Sequence, residues 1–281
     1  MPESNLIHPI KRSEYTELDG MNWSVLKHAI SSPAKALDAM TRERTSSDRL
    51  ILGSAIHCLV LEGEQAFGNQ YAVMPKIDRR TKAGKEEYEN FVARSRNKDI
   101  VKEADMPTIR SVYDSVRAHP SRREVLGTGM PEAALQWEEP NSGLQCKALL
   151  DFVPLKAEPG KPIVDLKTTR DASPSGFCRE IARYMYHGQA AFYSAGLSIV
   201  EGLPRRDVVL VAVEIEPPYC VGFYRLSQEA MDSGERLFET AIDRWLGASA
   251  TDDFKPHYTD GIENLSIPSW ALHAELADVS S

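Results

Sequence analysis

Pro162-Ile163-Val164-Asp165-Leu166-Lys167 decides how this chain is read. It is a short apolar run that ends in a carboxylate and an ammonium two residues apart. Side chains alternate faces along a β-strand, so Asp165 and Lys167 share one face and Leu166 takes the other. The preceding stretch, Leu144 to Val153, reads as a strand that carries Asp151 near its end, and the hairpin turn can bring Asp151 beside Asp165. Two adjacent carboxylates repel each other unless a cation or a proton lies between them. Hard cations such as Mg²⁺ take oxygen ligands and keep several waters, which leaves room for a phosphate oxygen and an attacking water. A neighbouring lysine can orient or deprotonate that water and offset charge in the transition state. The residue types fit metal-assisted phosphodiester hydrolysis. No Gly-x-Ser-x-Gly turn or Ser/His/Asp arrangement points to nucleophilic catalysis instead.

Working outward, Glu132 to Trp137 reads as the partner strand across the turn Asn141-Ser142-Gly143. Downstream come two helical segments, Ser175 to Arg183 and His187 to Val200, and then the continuous apolar run Val208 to Ile215. Such a run suits a strand buried on both faces. Cys220 to Leu226 returns beside it across Pro217-Pro218, and Gln228 to Leu246 has helical periodicity. The tail, residues 248–281, carries Pro256, Pro268 and Trp270 and reads as irregular chain wrapping over the surface. Upstream, residues 1–120 read as mainly helical. Asn22 or Ser24 caps a helix with Trp23, Leu26 and Ile30, which stops at Ser32-Pro33 because proline disfavours helix in the residue before it. A second helix runs from Arg49 to Leu61 and ends at Gly63. Its apolar residues Ile51, Leu52, Ile56, Leu59 and Val60 cover much of its circumference, so it is expected to be largely buried. Residues 75–85 form a basic, exposed loop leading into a helix through Phe91, and Met106 to Ala118 is a further helix. The expected fold class is α/β: one domain with a helical part over residues 1–120, a catalytic core over 130–247 and the tail.

The 281 residues are 42% hydrophobic, enough for a sizeable core, and no linker-like stretch divides them. A net charge of −8 does not suit a protein that coats nucleic acid by bulk attraction, although a local basic track would suffice at one site. Cys58, Cys146, Cys178 and Cys220 are scattered, with neither zinc spacing nor reason for disulfides. The N-terminal Met-Pro-Glu-Ser-Asn-Leu is unlike a signal peptide, and no segment reaches the ~18 apolar residues of a membrane helix. The expectation is a soluble, cytoplasmic protein with no membrane partner.

Asp151…Asp165-Leu166-Lys167 resembles the core of the PD-(D/E)xK nucleases, whose fold is restriction-endonuclease-like, a mixed central sheet flanked by helices. Four ordered stretches narrow the resemblance to the RecE-type (exodeoxyribonuclease VIII) nucleases of prophages. They are Leu52-Gly53-Ser54-Ala55-Ile56-His57-Cys58-Leu59-Val60-Leu61-Glu62, Asp78-Arg79-Arg80-Thr81-Lys82-Ala83-Gly84-Lys85, Val164-Asp165-Leu166-Lys167-Thr168-Thr169 and Tyr186-His187-Gly188-Gln189-Ala190-Ala191-Phe192-Tyr193. One departure is that Leu149-Leu150, not a proline, precedes Asp151.

The resemblance implies that Asp151 and Asp165 bind Mg²⁺, for which Mn²⁺ can substitute, with the Leu166 carbonyl as a backbone ligand. It adds His57 and Glu132 to the metal environment, makes Lys167 the catalytic lysine, and has Gln189 and Tyr193 hold the substrate strand. Four residues apart on a helix, those last two share a face. It further implies a 5′-to-3′ exonuclease on double-stranded DNA ends, leaving 3′ single strands for recombination with a single-strand annealing protein. A homo-oligomer, a tetrameric ring threaded by DNA, is also implied, and topology would then replace bulk electrostatic attraction. Arg79, Arg80, Lys82 and Lys85 read either as a solvated loop or as contacts to the DNA backbone, with Lys147 a weaker candidate for the same task. Two rivals share these residues: an endonuclease of the same core and a catalytically inactive DNA-binding relative. The scattered cysteines argue against the branch that carries an iron–sulfur cluster.

Overall fold

The computed structural model describes residues 6–7, 10, 12–42, 47–155, 158 and 160–269; Trp270 lies outside them. Among the described residues the strands are β1 (Leu6–Ile7), β2 (Tyr71–Met74), β3 (Asp99–Lys102), β4 (Gly129–Glu138), β5 (Gln145–Pro154), β6 (Ile163–Thr169), β7 (Val208–Glu214) and β8 (Val221–Arg225). The helices are α1 (Arg12–Glu17), α2 (Trp23–Leu26), α3 (Pro33–Thr41), α4 (Asp48–His57), α5 (Glu64–Gln70), α6 (Lys82–Arg94), α7 (Met106–Ala118), α8 (Arg122–Val125), α9 (Pro174–Tyr184), α10 (Tyr186–Glu201) and α11 (Gln228–Thr251). Six strands form one sheet in the order β1-β4-β5-β6-β7-β8. Only β6 and β7 run parallel in it; every other neighbouring pair is antiparallel.

The sheet has a core on each face, and β7 shows why its sequence is apolar throughout. Val208, Leu210 and Ala212 enter one core with α2, α3, α9, α10 and α11. Val209, Val211 and Val213 enter the other with α4, α5 and α7. A strand between two helical layers has no solvent face, so the usual apolar–polar alternation disappears. The mixed α/β architecture, a mostly antiparallel sheet flanked by helices, is as expected from the sequence.

Local chemistry sets the helix starts. Asn22 Oδ1 accepts the Val25 N–H at 3.1 Å, and Thr81 Oγ1 accepts the Gly84 N–H at 3.0 Å. Both satisfy donors that a helix N-terminus leaves without intrahelical partners. Helix α10 lies close on its core because Gly188 and Gly196 have no side chain. A Cβ on Gly188 would come within 2.3 Å of the Trp23 ring, and one on Gly196 within 2.7 Å of Trp137.

Four expectations need correction. The basic stretch is shorter as a loop than residues 75–85, because Thr81 caps α6 and puts Lys82 and Lys85 on its first turns. Helix α11 continues to Thr251 rather than ending at Leu246. The N-terminal part contains the parallel pair β2–β3, whose four-residue strands are too short to show a period. It also contains α3, which starts on Pro33 where the first helix stops, as a proline at N1 allows.

Candidate active site

β5 and β6 pair at a single position, Phe152 with Val164, and then part. The acidic groups sit in that fork. Asp151 Oδ2 accepts the Leu166 N–H at 2.7 Å, so the carboxylate satisfies a backbone donor that the separated ladder leaves open. On β6, Val164 and Leu166 enter the core beneath α4, while Ile163 enters the core beneath α10. Asp165 and Lys167 therefore face α10, as alternation predicts. They form an ion pair, and Asp165 is only 4% exposed.

The electrostatics follow from burial and neighbours. Burial pushes the Asp165 carboxyl up and the Asp151 charge adds to it; Lys167 offsets part of both, leaving it at about 6. Burial acts on Asp151 as well, but His57, Lys167 and the Leu166 N–H outweigh it and hold that carboxyl below its usual range. Burial alone would lower Lys167; Asp165 and Asp151 reverse this and raise it above the usual lysine range. The lysine is thus a protonated hydrogen-bond donor in this arrangement.

His57 and Glu132 arrive from distant parts of the chain. His57 ends α4 and places Nδ1 3.5 Å from Asp151 Oδ2. Burial would lower its pKa, but Asp151 and Glu132 raise it above the ordinary value. Glu132 lies on β4 across from Asp151, between the paired positions Pro131–Phe152 and Ala133–Leu150. Its φ is +48°, in the left-handed region that a residue with a Cβ rarely occupies. The inward face of both strands also changes parity at this step: Cys146, Ala148 and Leu150 enter one core, then Val153 does, while Phe152 turns to the other. Strain of this kind is held where the surrounding structure over-determines it, often at functional sites.

His57, Glu132 and Asp151 each offer a ligand atom, all within 4.8 Å of one another. Asp165 stands outside this trio, and its buried Oδ2 is paired with the Lys167 ammonium. One imidazole and a set of carboxylates fit a divalent cation. The donor set does not discriminate between Mg²⁺ and Mn²⁺.

Helix α10 supplies the remaining predicted pair. Lys167 Nζ donates to Gln189 Oε1 at 2.9 Å, and Gln189 Nε2 donates to the Tyr193 hydroxyl oxygen at 2.9 Å. The Lys167 ammonium also lies 4.7 Å from the centre of the Tyr186 ring, a cation–π contact absent from the sequence reading. All these polar groups except Tyr186 border one cleft of about 500 Å³. A second depression of about 450 Å³, between α11 and the tail, contains none of them.

Arg79, Arg80, Lys82 and Lys85 do not line the cleft. Arg80 is engaged by Asp78 through two side-chain bonds of 2.9 and 3.1 Å, and Arg79 stacks on Tyr88 at 4.3 Å. Besides Lys167, the cation Arg49 lines the cleft, a role not expected from the sequence. Leu50, Gly53, Ser54 and His57 also face the cleft from α4. Their spacing of three, four and seven marks one helix face, a signal that was available but hidden by the apolar residues around it. Lys147 needs correction: it is 8% exposed and donates to backbone carbonyls, which leaves it buried rather than open to phosphate.

No helix among the described residues is long and apolar enough to cross a membrane. No curated protein matches the chain. Among solved structures it is similar to a "Putative exonuclease" from Eubacterium rectale, with a TM-score of 0.61 and 12% identity over 94% of this chain and 98% of that one. At that identity the likeness is one of fold. A family model described as "PDDEXK-like domain of unknown function (DUF3799)" matches residues 22–266. With that match over most of its length, and with the carboxylates and lysine meeting at the fork of its sheet, the chain belongs to the PDDEXK-like domain family.

Proposed function

We propose that the chain is a metal-dependent deoxyribonuclease, a 5′-to-3′ exonuclease on double-stranded DNA ends that leaves 3′ single strands for recombination. The observation that carries this reading is the meeting of Asp151, Asp165 and Lys167 with His57 and Glu132 in one cleft. Family membership supports the nuclease, and the name of the Eubacterium rectale neighbour is consistent with an exonuclease. His57, Glu132, Asp151, Asp165 and the Leu166 carbonyl would hold Mg²⁺, or Mn²⁺ in its place. Such an ion supplies Lewis-acid polarisation of a phosphoryl oxygen and a water of lowered pKa.

The protein groups do the rest. Lys167, kept protonated by its two aspartates, donates to the phosphate region and offsets charge that builds up there during hydrolysis. Gln189 fixes the direction of that ammonium, and Tyr193 fixes Gln189. Arg49 stands at the wall where an adjoining phosphate would enter, and Arg79, Arg80, Lys82 and Lys85 are proposed contacts for more distant phosphates. A tetrameric ring and a single-strand annealing partner complete the proposal.

Degradation of linear duplex DNA beside an intact circle, with Mg²⁺ or Mn²⁺, tests it. Loss of the linear DNA alone, abolished in Lys167→Ala, is the expected result. Cleavage of the circle would replace the exonuclease with an endonuclease, and inertness of the folded protein toward both would leave a DNA-binding relative.

A further inference from the structure

The stretch ahead of α2 is fastened to the β4–β5 hairpin by polar tethers. Gln136 Nε2 donates to the Asp19 carbonyl at 2.9 Å. Met21 N–H donates to Gln145 O at 2.8 Å, and Lys147 N–H donates to Met21 O at 2.9 Å. Gly20, at φ +123°, comes so close that a Cβ there would meet the Cys146 carbonyl carbon at 2.8 Å. The principal tether is the Lys147 side chain. Its ammonium donates to the carbonyls of Tyr15 at 3.4 Å, Thr16 at 3.2 Å and Leu18, and lies 5.2 Å from the centre of the Tyr15 ring.

Those carbonyls belong to the C-terminal end of α1, where a helix lacks internal donors and favours a cation. With six residues, α1 is too short to be stable unaided. Lys147, Leu149 and Asp151 alternate onto one face of β5, and the last two border the cleft. Tyr15 and Thr16 border it too, in the same lining as Lys167 and Tyr193, and Tyr15 is close enough to Tyr193 to act on it electrostatically. The strand face that supplies a metal ligand thus also anchors the segment that closes the cleft.

Building on the nuclease reading, we propose that α1 is a substrate-binding wall and that Lys147 is the positioning residue that holds it, so that Tyr15 meets the base and sugar of the nucleotide whose phosphate reaches Lys167. An aromatic ring suits that place because it stacks on any base.

The test is steady-state hydrolysis of a fluorescent linear duplex oligonucleotide by wild type, Lys147→Met, Lys147→Arg and Tyr15→Ala. Mn²⁺ affinity by calorimetry and hydrogen exchange of residues 15–19 are followed alongside. Lys147→Met should raise KM by about tenfold, change kcat by less than about threefold, leave Mn²⁺ affinity intact and speed exchange of residues 15–19. Lys147→Arg, which can still donate to the carbonyls, should restore KM. Tyr15→Ala should raise KM while exchange stays slow. An unchanged KM in Lys147→Met despite fast exchange would overturn the proposal, as would a joint loss of kcat and Mn²⁺ affinity, which marks a purely architectural lysine. Should Lys147→Met fail to fold, an unchanged KM in Tyr15→Ala overturns the proposal by itself. Wild type that binds Mn²⁺ but neither binds nor cleaves DNA would sink the nuclease reading itself; active wild type with all variants at its KM would sink only the wall.

Discussion

Replacing Glu132 by glycine and, separately, by alanine isolates the strain at the heart of the site. Both substitutions remove the carboxylate, so both lose its proposed contribution to metal binding and its repulsion with Asp151. They differ in what the backbone tolerates. Inside an ordinary strand, alanine is better than glycine by about 0.5–1 kcal/mol, since glycine loses more freedom on folding. At φ +48° the order reverses, because a Cβ in the left-handed region costs roughly 1–2 kcal/mol. The two figures leave Glu132→Gly ahead of Glu132→Ala by roughly 0.5–1 kcal/mol. In a chain of this size that is a rise in Tm of about 1–3 °C. Thermal and urea unfolding of both variants in excess chelator measure it, and calorimetry with Mn²⁺ should find both equally impaired. A Glu132→Ala protein at least as stable as Glu132→Gly would refute the reasoning, since position 132 would then hold ordinary extended backbone.

Further predictions concern protons, the lysine and the core. Because burial raises Asp165 to about 6 and Asp151 raises His57 above its usual value, a cation that takes both as ligands must displace protons from both. A carboxyl raised on folding stabilises the metal-free protein at low pH, and that contribution is lost as pH rises through about 6. The Tm gain from Mn²⁺ over chelator should therefore grow between about pH 5 and 7.5, with proton release measured by calorimetry in buffers of different ionisation enthalpy; a flat gain would count against Asp165 as a ligand. Gln189→Leu removes the acceptor that aims Lys167 and should lower kcat by about 10–100-fold with Mn²⁺ affinity unchanged; equal loss of both would contradict a role through the lysine. Lys167→Ala should cost about 10²–10³ in kcat and leave the fold cooperative by urea unfolding. Arg205 pairs with Glu201 and donates to the carbonyls of Leu155 and Glu158 at 3.4 and 3.3 Å. Arg205→Met should destabilise by about 3–5 kcal/mol because it leaves the buried Glu201 carboxylate without its partner, and a loss under about 1 kcal/mol would show that the pair contributes little to stability.

What the sequence determined by itself are relations local enough for backbone geometry to impose. A period of two put Asp165 and Lys167 on one face of β6, and a spacing of four put Gln189 and Tyr193 on one face of α10; the hydrogen bonds from Lys167 through Gln189 to Tyr193 follow from those two rules once the elements touch. A cap at Asn22 marked the start of α2, while the starts of α3 and α6 and the end of α11 went unread, and the unbroken apolar run of β7 announced a strand covered on both faces. The tertiary structure alone decided which distant groups share a cleft. His57 meets Asp151 because one of the two cores docks α4 against the sheet, and no spacing along the chain encodes that. The left-handed backbone of Glu132 is invisible in sequence, since the residue there is not the glycine that would signal it. Lys147, a candidate phosphate contact in sequence, is buried against the carbonyls of α1, and the basic stretch, open to two readings in sequence, has its lysines on α6 and its arginines engaged by Asp78 and Tyr88 away from the cleft. A side chain's type states what it can do; whether water, a carbonyl or a substrate is there to receive it depends on what packs around it.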